Sequence, residues 1–245
     1  MALGALGVLS TSQIHRRYLD GLSPRGLRHR LQSMAAQGWL RRGHLLCAGP
    51  GQTPRIWSLT DSGRGLAEAR LGADPFEVVW DDLDQVVHAL HVAAWWLAFE
   101  RVAGRQVSCV RRRSGAHWTR PDLELHMSPP FAIAHVLVAV RPPLPSRTAL
   151  QQRLDLLVAW GGDASSTAEL LVLRDEPTAI AVARAMAGLV DRARVDGTKP
   201  AWLGRRVHLT SELDIHHSRL RALTLRSPLP SARTEVALVD LLGRR

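Results

Sequence analysis

Residues Ser10–Thr60 read STSQIHRRYLDGLSPRGLRHRLQSMAAQGWLRRGHLLCAGPGQTPRIWSLT. Ser10 followed by Gln13 has the spacing of a capping box, in which the hydroxyl takes a backbone N–H at the helix start and the amide reaches back to the cap. The spacing predicts a short helix from Thr11 to about Leu19, broken by Asp20-Gly21. Ser23-Pro24 opens a second helix, with Ser as N-cap and Pro at the first helical position, where its missing N–H costs nothing. That helix should reach Gln37 and stop at Gly38.

Helical spacing gives the second helix two faces. Leu27, Leu31 and Met34 recur at i, i+4 and i+7 and should pack inward, whereas Arg25, Arg28, His29 and Gln32 fall in a narrow arc on the other side. Trp39 to Leu46 and Arg55 to Thr60 are strand-like runs joined by the Gly- and Pro-containing segment from Ala48 to Pro54, which predicts a β-hairpin. Arg41, Arg42, His44 and Arg55 are expected at its base. Thr60-Asp61-Ser62-Gly63 then starts a further helix through about Arg70. The order helix, basic helix, hairpin, helix is that of a winged helix-turn-helix. Arg forks fit guanine edges or phosphates and Gln fits adenine, so the second helix carries donors suited to a major groove. Arginines on the hairpin would touch phosphates, which position a protein without reading sequence. The expected partner is double-stranded DNA.

The charge distribution agrees with that partner. Residues 1–70 hold ten Arg against three acids, a balance of +7, residues 71–104 hold one Arg against six acids, or −5, and the remainder adds +8 to reach the formal +10. Cationic side chains bind phosphate by releasing its counterions, so a basic head with an acidic connector suits a DNA-binding module joined to a second domain. Lys199 is the only lysine; the sign of the charge carries more weight than the preference for Arg. Cys47 and Cys109 have neither zinc spacing nor a disulfide framework, which suits a reducing cytoplasm. Met1 to Leu9 lacks the basic flank and cleavage pattern of a leader, and no apolar run reaches membrane-spanning length. No membrane partner is expected.

At 245 residues the chain has room for two modest cores. The expected division is a winged helix domain at 1–72, an acidic linker with a long connecting helix at 73–104, and an α/β domain at 105–245. Leu83 to Val102 is a helical pattern with an apolar stripe of Leu83, Val87, Leu90, Ala94 and Leu97, widened by Val86, Trp95 and Phe99. It would serve as an interdomain spine or as the contact of a homodimer. His88 and His91 lie one turn apart without a carboxylate or Cys to complete a metal site, and packing is their expected role. Beyond it, Gln106–Val110, Leu123–His126, Ile133–Val140, Glu169–Leu173 and Val207–Thr210 are strand candidates. Helical patterns at Arg147–Trp160 and Thr178–Arg194 fall between them. Ile133–Val140 is nearly all apolar, as a strand covered on both faces should be. Together these predict an α+β chain whose second domain has a mixed sheet. Arg111-Arg112-Arg113 with His117 and Trp118 is a further candidate phosphate and stacking surface or a solvated loop. The adjacent pair His216-His217 is poorly placed for a metal.

Several of these segments carry a family resemblance. The basic helix and hairpin, Thr119-Arg120-Pro121-Asp122-Leu123, Phe131-Ala132-Ile133-Ala134-His135-Val136, Gln152-Arg153-Leu154-Asp155 and Leu171-Val172-Leu173-Arg174 occur in the order seen in the replication-relaxation family. The resemblance spans most of Leu3 to Thr210 and rests on that order. It implies association with plasmids and conjugative elements and a second domain similar to restriction endonucleases.

Nucleases of that fold begin one strand with Asp and carry Glu-x-Lys on the next, the carboxylates holding Mg²⁺. Asp122 matches the first position, but His135 stands at the second and Leu137 replaces the Lys. Imidazole is a poor Mg²⁺ ligand and Leu donates no hydrogen bond, so the resemblance implies a degenerate site at Asp122, Glu124 and His135, without hydrolysis. Glu124 with Asp155 is the remaining way to rebuild a metal site. Neither a catalytic residue nor a cofactor is expected. The functional expectation is an accessory or regulatory DNA-binding protein of a mobile element. The rivals are a transcription regulator unrelated to replication, a metal-dependent nuclease and a protein-interaction module.

Overall fold

A computed structural model describes residues 2–18, 22–45, 54–72, 75–103, 107–111, 121–127, 133–139, 145–160, 168–197, 207–212, 221–224 and 234–237. Cys47, most of the hairpin connection, Arg112, Arg113, His117, Trp118 and the His216-His217 pair lie outside them.

Capping decides where the first helices begin. The Ser10 Oγ accepts the Gln13 N–H at 3.1 Å and Gln13 Oε1 accepts the Ser10 N–H at 2.8 Å, the reciprocal pair that the spacing predicts. They start α2, Thr11–Tyr18, which follows α1, Ala2–Leu6, and β1, Val8–Ser10. Ser23 accepts the Gly26 N–H and Pro24 leads α3, Pro24–Ala36, which ends at Gln37 with Gly38 in the left-handed region at φ +76. The hairpin strands are β2, Leu40–His44, and β3, Arg55–Leu59, and Thr60 caps α4, Asp61–Leu71. The hairpin is part of a three-stranded antiparallel sheet in the order β1-β3-β2, because β1 pairs with β3 through Val8↔Ser58, Leu9↔Trp57 and Ser10↔Ile56.

The register of that sheet sorts its side chains. Leu40, Arg42 and His44 lie opposite Leu59, Trp57 and Arg55 and share one face, while Arg41 and Gly43 lie opposite Ser58 and Ile56 on the other. The first face meets helices: α3 packs on β2, and the Trp57 indole donates to the Thr11 hydroxyl at 2.9 Å at the start of α2. On the second face Val8 and Ile56 form a core with Val86 and Ala89, flanked by Val78, Trp80 and Leu90.

The chain divides into two compact units, 1–97 and 98–245, with the division inside α5, Leu83–Ala103. The first unit therefore takes in the acidic segment and most of α5 as well as residues 1–72. Asp82 starts α5, its carboxylate accepting the Gln85 N–H at 3.0 Å. The buried side of α5 differs from the expected stripe. Val86, Ala89, Val92, Ala93, Trp95, Trp96 and Phe99 are buried, whereas Leu83 is 57% exposed and Val87, Leu90, Ala94 and Leu97 are half-buried. A helix apolar nearly all round gives periodicity little to choose between.

The second unit is built on a seven-stranded mixed sheet in the order β10-β9-β8-β7-β6-β5-β4. In chain order its elements are β4 Val107–Arg111, β5 Leu123–Met127, β6 Ile133–Ala139, α6 Arg147–Trp160, β7 Ala168–Leu173, α7 Glu176–Val195, β8 Val207–Ser211, β9 Arg221–Thr224 and β10 Thr234–Ala237. Strands β6, β7 and β8 run parallel, as α6 and α7 crossovers require, and the outer pairings are antiparallel. Leu137, Leu171, Leu173, Val207 and Leu209 from the sheet pack with Leu150, Leu154 and Leu157 of α6 and Val182, Met186 and Leu189 of α7. Val136 and Val138 are buried as well as Leu137, so β6 is covered on both faces, as its apolar run predicts. The chain is thus α+β with a mixed sheet; β1, β9 and β10 are strands that the sequence patterns did not predict.

Candidate nucleic-acid interface

Helix α3 buries Leu27 and Leu31, with Met34 half-buried, and exposes Arg25, Arg28, His29 and Gln32 on the opposite arc. The four predicted donors therefore occupy one solvent-facing side of a helix held from behind. The Arg28 Nε donates to the Pro24 carbonyl at 3.2 Å, which lays the guanidinium along the first turn. Arg30, also exposed, stands on the flank of the same helix and extends its cationic surface. It lies off the arc opposite the core, so helical spacing does not single it out.

The hairpin residues separate. His44 pairs with Arg55 next to the connection, and Arg41 and Arg42 stand nearer the open end marked by Leu40↔Leu59. The expectation that all four sit at the hairpin base holds for Arg41 and Arg42 and is corrected for His44 and Arg55, because the length of the two strands carries that pair to the connection end. Alternation also divides them by face. Arg42, His44 and Arg55 share the helix-covered face, are exposed, and extend the side that carries α3. Arg41 points to the other face, where its guanidinium lies 5.0 Å from the Trp80 ring centroid and 3.8 Å from Asp81.

Position of the helices depends on side chains outside this surface. Gln13, buried in the capping box, donates through Nε2 to the Leu90 carbonyl of α5 at 2.9 Å. Arg17 of α2 stacks 4.0 Å from the Trp96 ring centroid, a cation–π contact that ties α2 to the same helix. The Thr11 hydroxyl donates to the Arg55 carbonyl at 3.2 Å while accepting from Trp57, locking the start of α2 to β3. Below the hairpin, a Cβ on Gly63 would come within 2.0 Å of the Trp39 carbonyl oxygen, so only glycine fits where α4 leaves the sheet.

In the second unit Asp122 is buried, and its Oδ2 accepts the Val138 N–H at 2.7 Å while its own N–H donates to the Val136 carbonyl at 2.9 Å. Its carboxylate thus ties the start of β5 to the middle of β6. By register Glu124, His135 and Glu169 stand side by side on β5, β6 and β7. Asp155 does not join them: it is exposed on α6 and accepts from Gln151 at 3.2 Å. The side chain of α6 that does reach the row is Arg153, whose Nε donates to Glu169 Oε1 at 2.7 Å with both side chains 0% exposed. Burial raises the Glu169 carboxyl above its ordinary range while Arg153 pulls it down. Among the described residues, no group of three or more His, Cys, Asp or Glu is placed to hold a metal ion. Nor is any described helix long and apolar enough to cross a membrane. No family model, curated protein or solved structure matches the chain.

Proposed function

We propose that the protein is a cytoplasmic, non-enzymatic DNA-binding protein with an accessory or regulatory role in a mobile element. In this reading the first unit is a winged helix-turn-helix that places α3 in the major groove, and Arg42, His44 and Arg55 contact flanking phosphates. The observation that carries it is the exposed arc of Arg25, Arg28, His29 and Gln32 directly opposite buried Leu27 and Leu31. A helix fastened on its inner face presents these donors without a backbone ordering cost at binding. Arg25 and Arg28 suit guanine or phosphate and Gln32 suits adenine.

The second unit, in the same reading, is a restriction-endonuclease-like scaffold that has lost its chemistry. Supporting this, Asp122 already serves a backbone amide, and the helix-borne partner of the carboxylate row is a buried Arg. A hard cation needs several unshared oxygen ligands, which this arrangement commits elsewhere. The replication-relaxation resemblance supplies the mobile-element context. The side of α5 with exposed Leu83 and half-buried Val87 and Ala94 is the surface through which two copies would pair.

The test is titration of the full chain with random-sequence and genomic duplexes at low and moderate ionic strength, followed by footprinting. Binding should weaken steeply with salt, and Arg28→Ala should weaken a footprinted site by about 1–3 kcal/mol and random duplex by less. Absence of any association at low salt would refute the proposal. Cleavage of plasmid with Mg²⁺ that disappears in Asp122→Ala would replace it with the nuclease reading.

A further inference from the structure

Two neighbouring arginines of β2 face opposite ways, and the side that Arg41 faces is occupied. Residues 75–82 cross it. Trp80 sits over Gly43, where a Cβ would come within 2.4 Å of Trp80 Cζ2, so the wing strand needs glycine to admit the ring. That ring carries the Arg41 guanidinium, and Asp81 stands next to it. At the other end the Phe76 N–H donates to the Gly4 carbonyl at 2.6 Å, and Gly7, at φ +80, lies where a Cβ would meet Val78 Cγ2 at 2.6 Å. Between these points Glu77 takes Arg64 of α4 at 2.5 Å, a contact that raises the Arg64 pKa chiefly through that hydrogen bond. The segment is thus fastened to three parts of the basic unit: the α1 end, α4 and β2.

We propose that residues 75–82 are an acidic strap that removes Arg41 and Arg64 from the DNA-binding surface, leaving Arg42, His44 and Arg55 as the hairpin residues that meet phosphate. The inference rests on the DNA-binding reading for its ligand and sharpens it by saying which cations are spent internally. Arg41 already has an aromatic face and a carboxylate, so turning to a phosphate would trade one anion for another and leave Trp80 without its cation. Arg42 faces the α3 side, where a duplex lying on α3 would run. The two side chains carry the same charge one residue apart, so long-range attraction to DNA is nearly equal for both. A difference between them reports direction.

The experiment compares Arg41→Ala and Arg42→Ala in the full chain, with Asp81→Asn as a second probe of the strap. Affinity is measured with a random-sequence duplex at several salt concentrations, and backbone hydrogen exchange across 75–82 by mass spectrometry. Arg42→Ala should weaken binding about fivefold, lower the salt slope by about one and leave exchange in 75–82 unchanged. Arg41→Ala should change affinity by less than about twofold and speed exchange in 75–82, as should Asp81→Asn. If the wild type binds duplex but the two arginine variants lose affinity equally, or exchange is unmoved by both Arg41→Ala and Asp81→Asn, the strap assignment is wrong while DNA binding stands. If the wild type binds no duplex, the DNA-binding reading itself fails and the division of labour fails with it.

Discussion

An ion pair of the first unit and one of the second sit in contrasting surroundings. In the first, ion pairs lie at the surface: Arg64–Glu77 has side-chain exposures of 31% and 58%, and Arg41–Asp81 of 52% and 93%. In the second, Arg153–Glu169 is wholly enclosed beside leucines of α6 and β7. A partly exposed guanidinium keeps some of its hydration, so its pair adds little net stability. An enclosed one has lost several kcal/mol of hydration and persists only while its partner and hydrogen bonds hold it. The same residue types therefore fasten the 75–82 segment from the surface in one unit and hold α6 against β7 from within in the other.

The sharpest way to break the contrast is to remove the enclosed cation. Arg153→Ala leaves Glu169 in the core without its partner and should cost about 3–5 kcal/mol, measured by urea unfolding at neutral pH. The loss should shrink in acid, because burial alone then governs Glu169 and a raised carboxyl pKa favours the protonated, uncharged form. Arg153→Met with Glu169→Leu should recover much of the stability, since an apolar pair of similar volume asks for no hydration to be given up. A cost below about 1 kcal/mol for Arg153→Ala, the range of a surface pair, would mean that the pair is solvated and the two units are alike.

A second effect belongs to the same sheet. His208 of β8 is 3% exposed, and burial lowers its pKa to about 4 from the ordinary 6.5. The folded state then holds the neutral imidazole, so its contribution is complete above about pH 6.5, is lost as pH falls toward 4, and changes no further below that. The span corresponds to about 3 kcal/mol. Subtracting the unfolding free energies of His208→Gln from those of the wild type at several pH values isolates this group. A difference that stays flat between pH 7 and pH 4 would show that His208 protonates freely in the folded protein.

How far these features could be read in advance depends on how local they are. The Ser10–Gln13 box, the Ser23 and Thr60 caps and the arc on α3 each involve residues within a few positions of one another, and each appears at the residues expected. Strand β1 escaped notice because Val8-Leu9-Ser10 is too short to show alternation and becomes a strand only by pairing with Ile56–Ser58. The wrong stripe on α5 has another cause: Ala89 and Ala93 are as buried as the tryptophans, while Leu83 is exposed, so hydrophobicity alone does not mark the inner side. Arg41 and Arg42 differ by a single step of the strand period, which was legible, but the strap that gives the step its meaning was not. Arg153 follows Leu150 by three and precedes Leu157 by four, squarely within an apolar helix stripe. That position is the sequence sign of a buried cation, whereas Asp155, two residues on, lies on the exposed side of α6.

The smallest predicted effect tests the surface side of the comparison. Glu77→Gln removes one of the two carboxylates held by Arg64, leaving Asp61, and keeps a side chain of the same size and a hydrogen-bonding oxygen. Because both partners remain partly in water, the change should lower stability by less than about 1 kcal/mol, and the difference should fade in concentrated salt as the charges are screened. Arg153→Ala measured in the same salt series should lose little of its effect, since ions do not enter an apolar core. If the Glu77→Gln loss were large and independent of salt, Arg64 would be an anchor of the first unit comparable to Arg153 in the second. The strap would then be part of that unit's core, and its arginines would be as fixed in place as the enclosed pair.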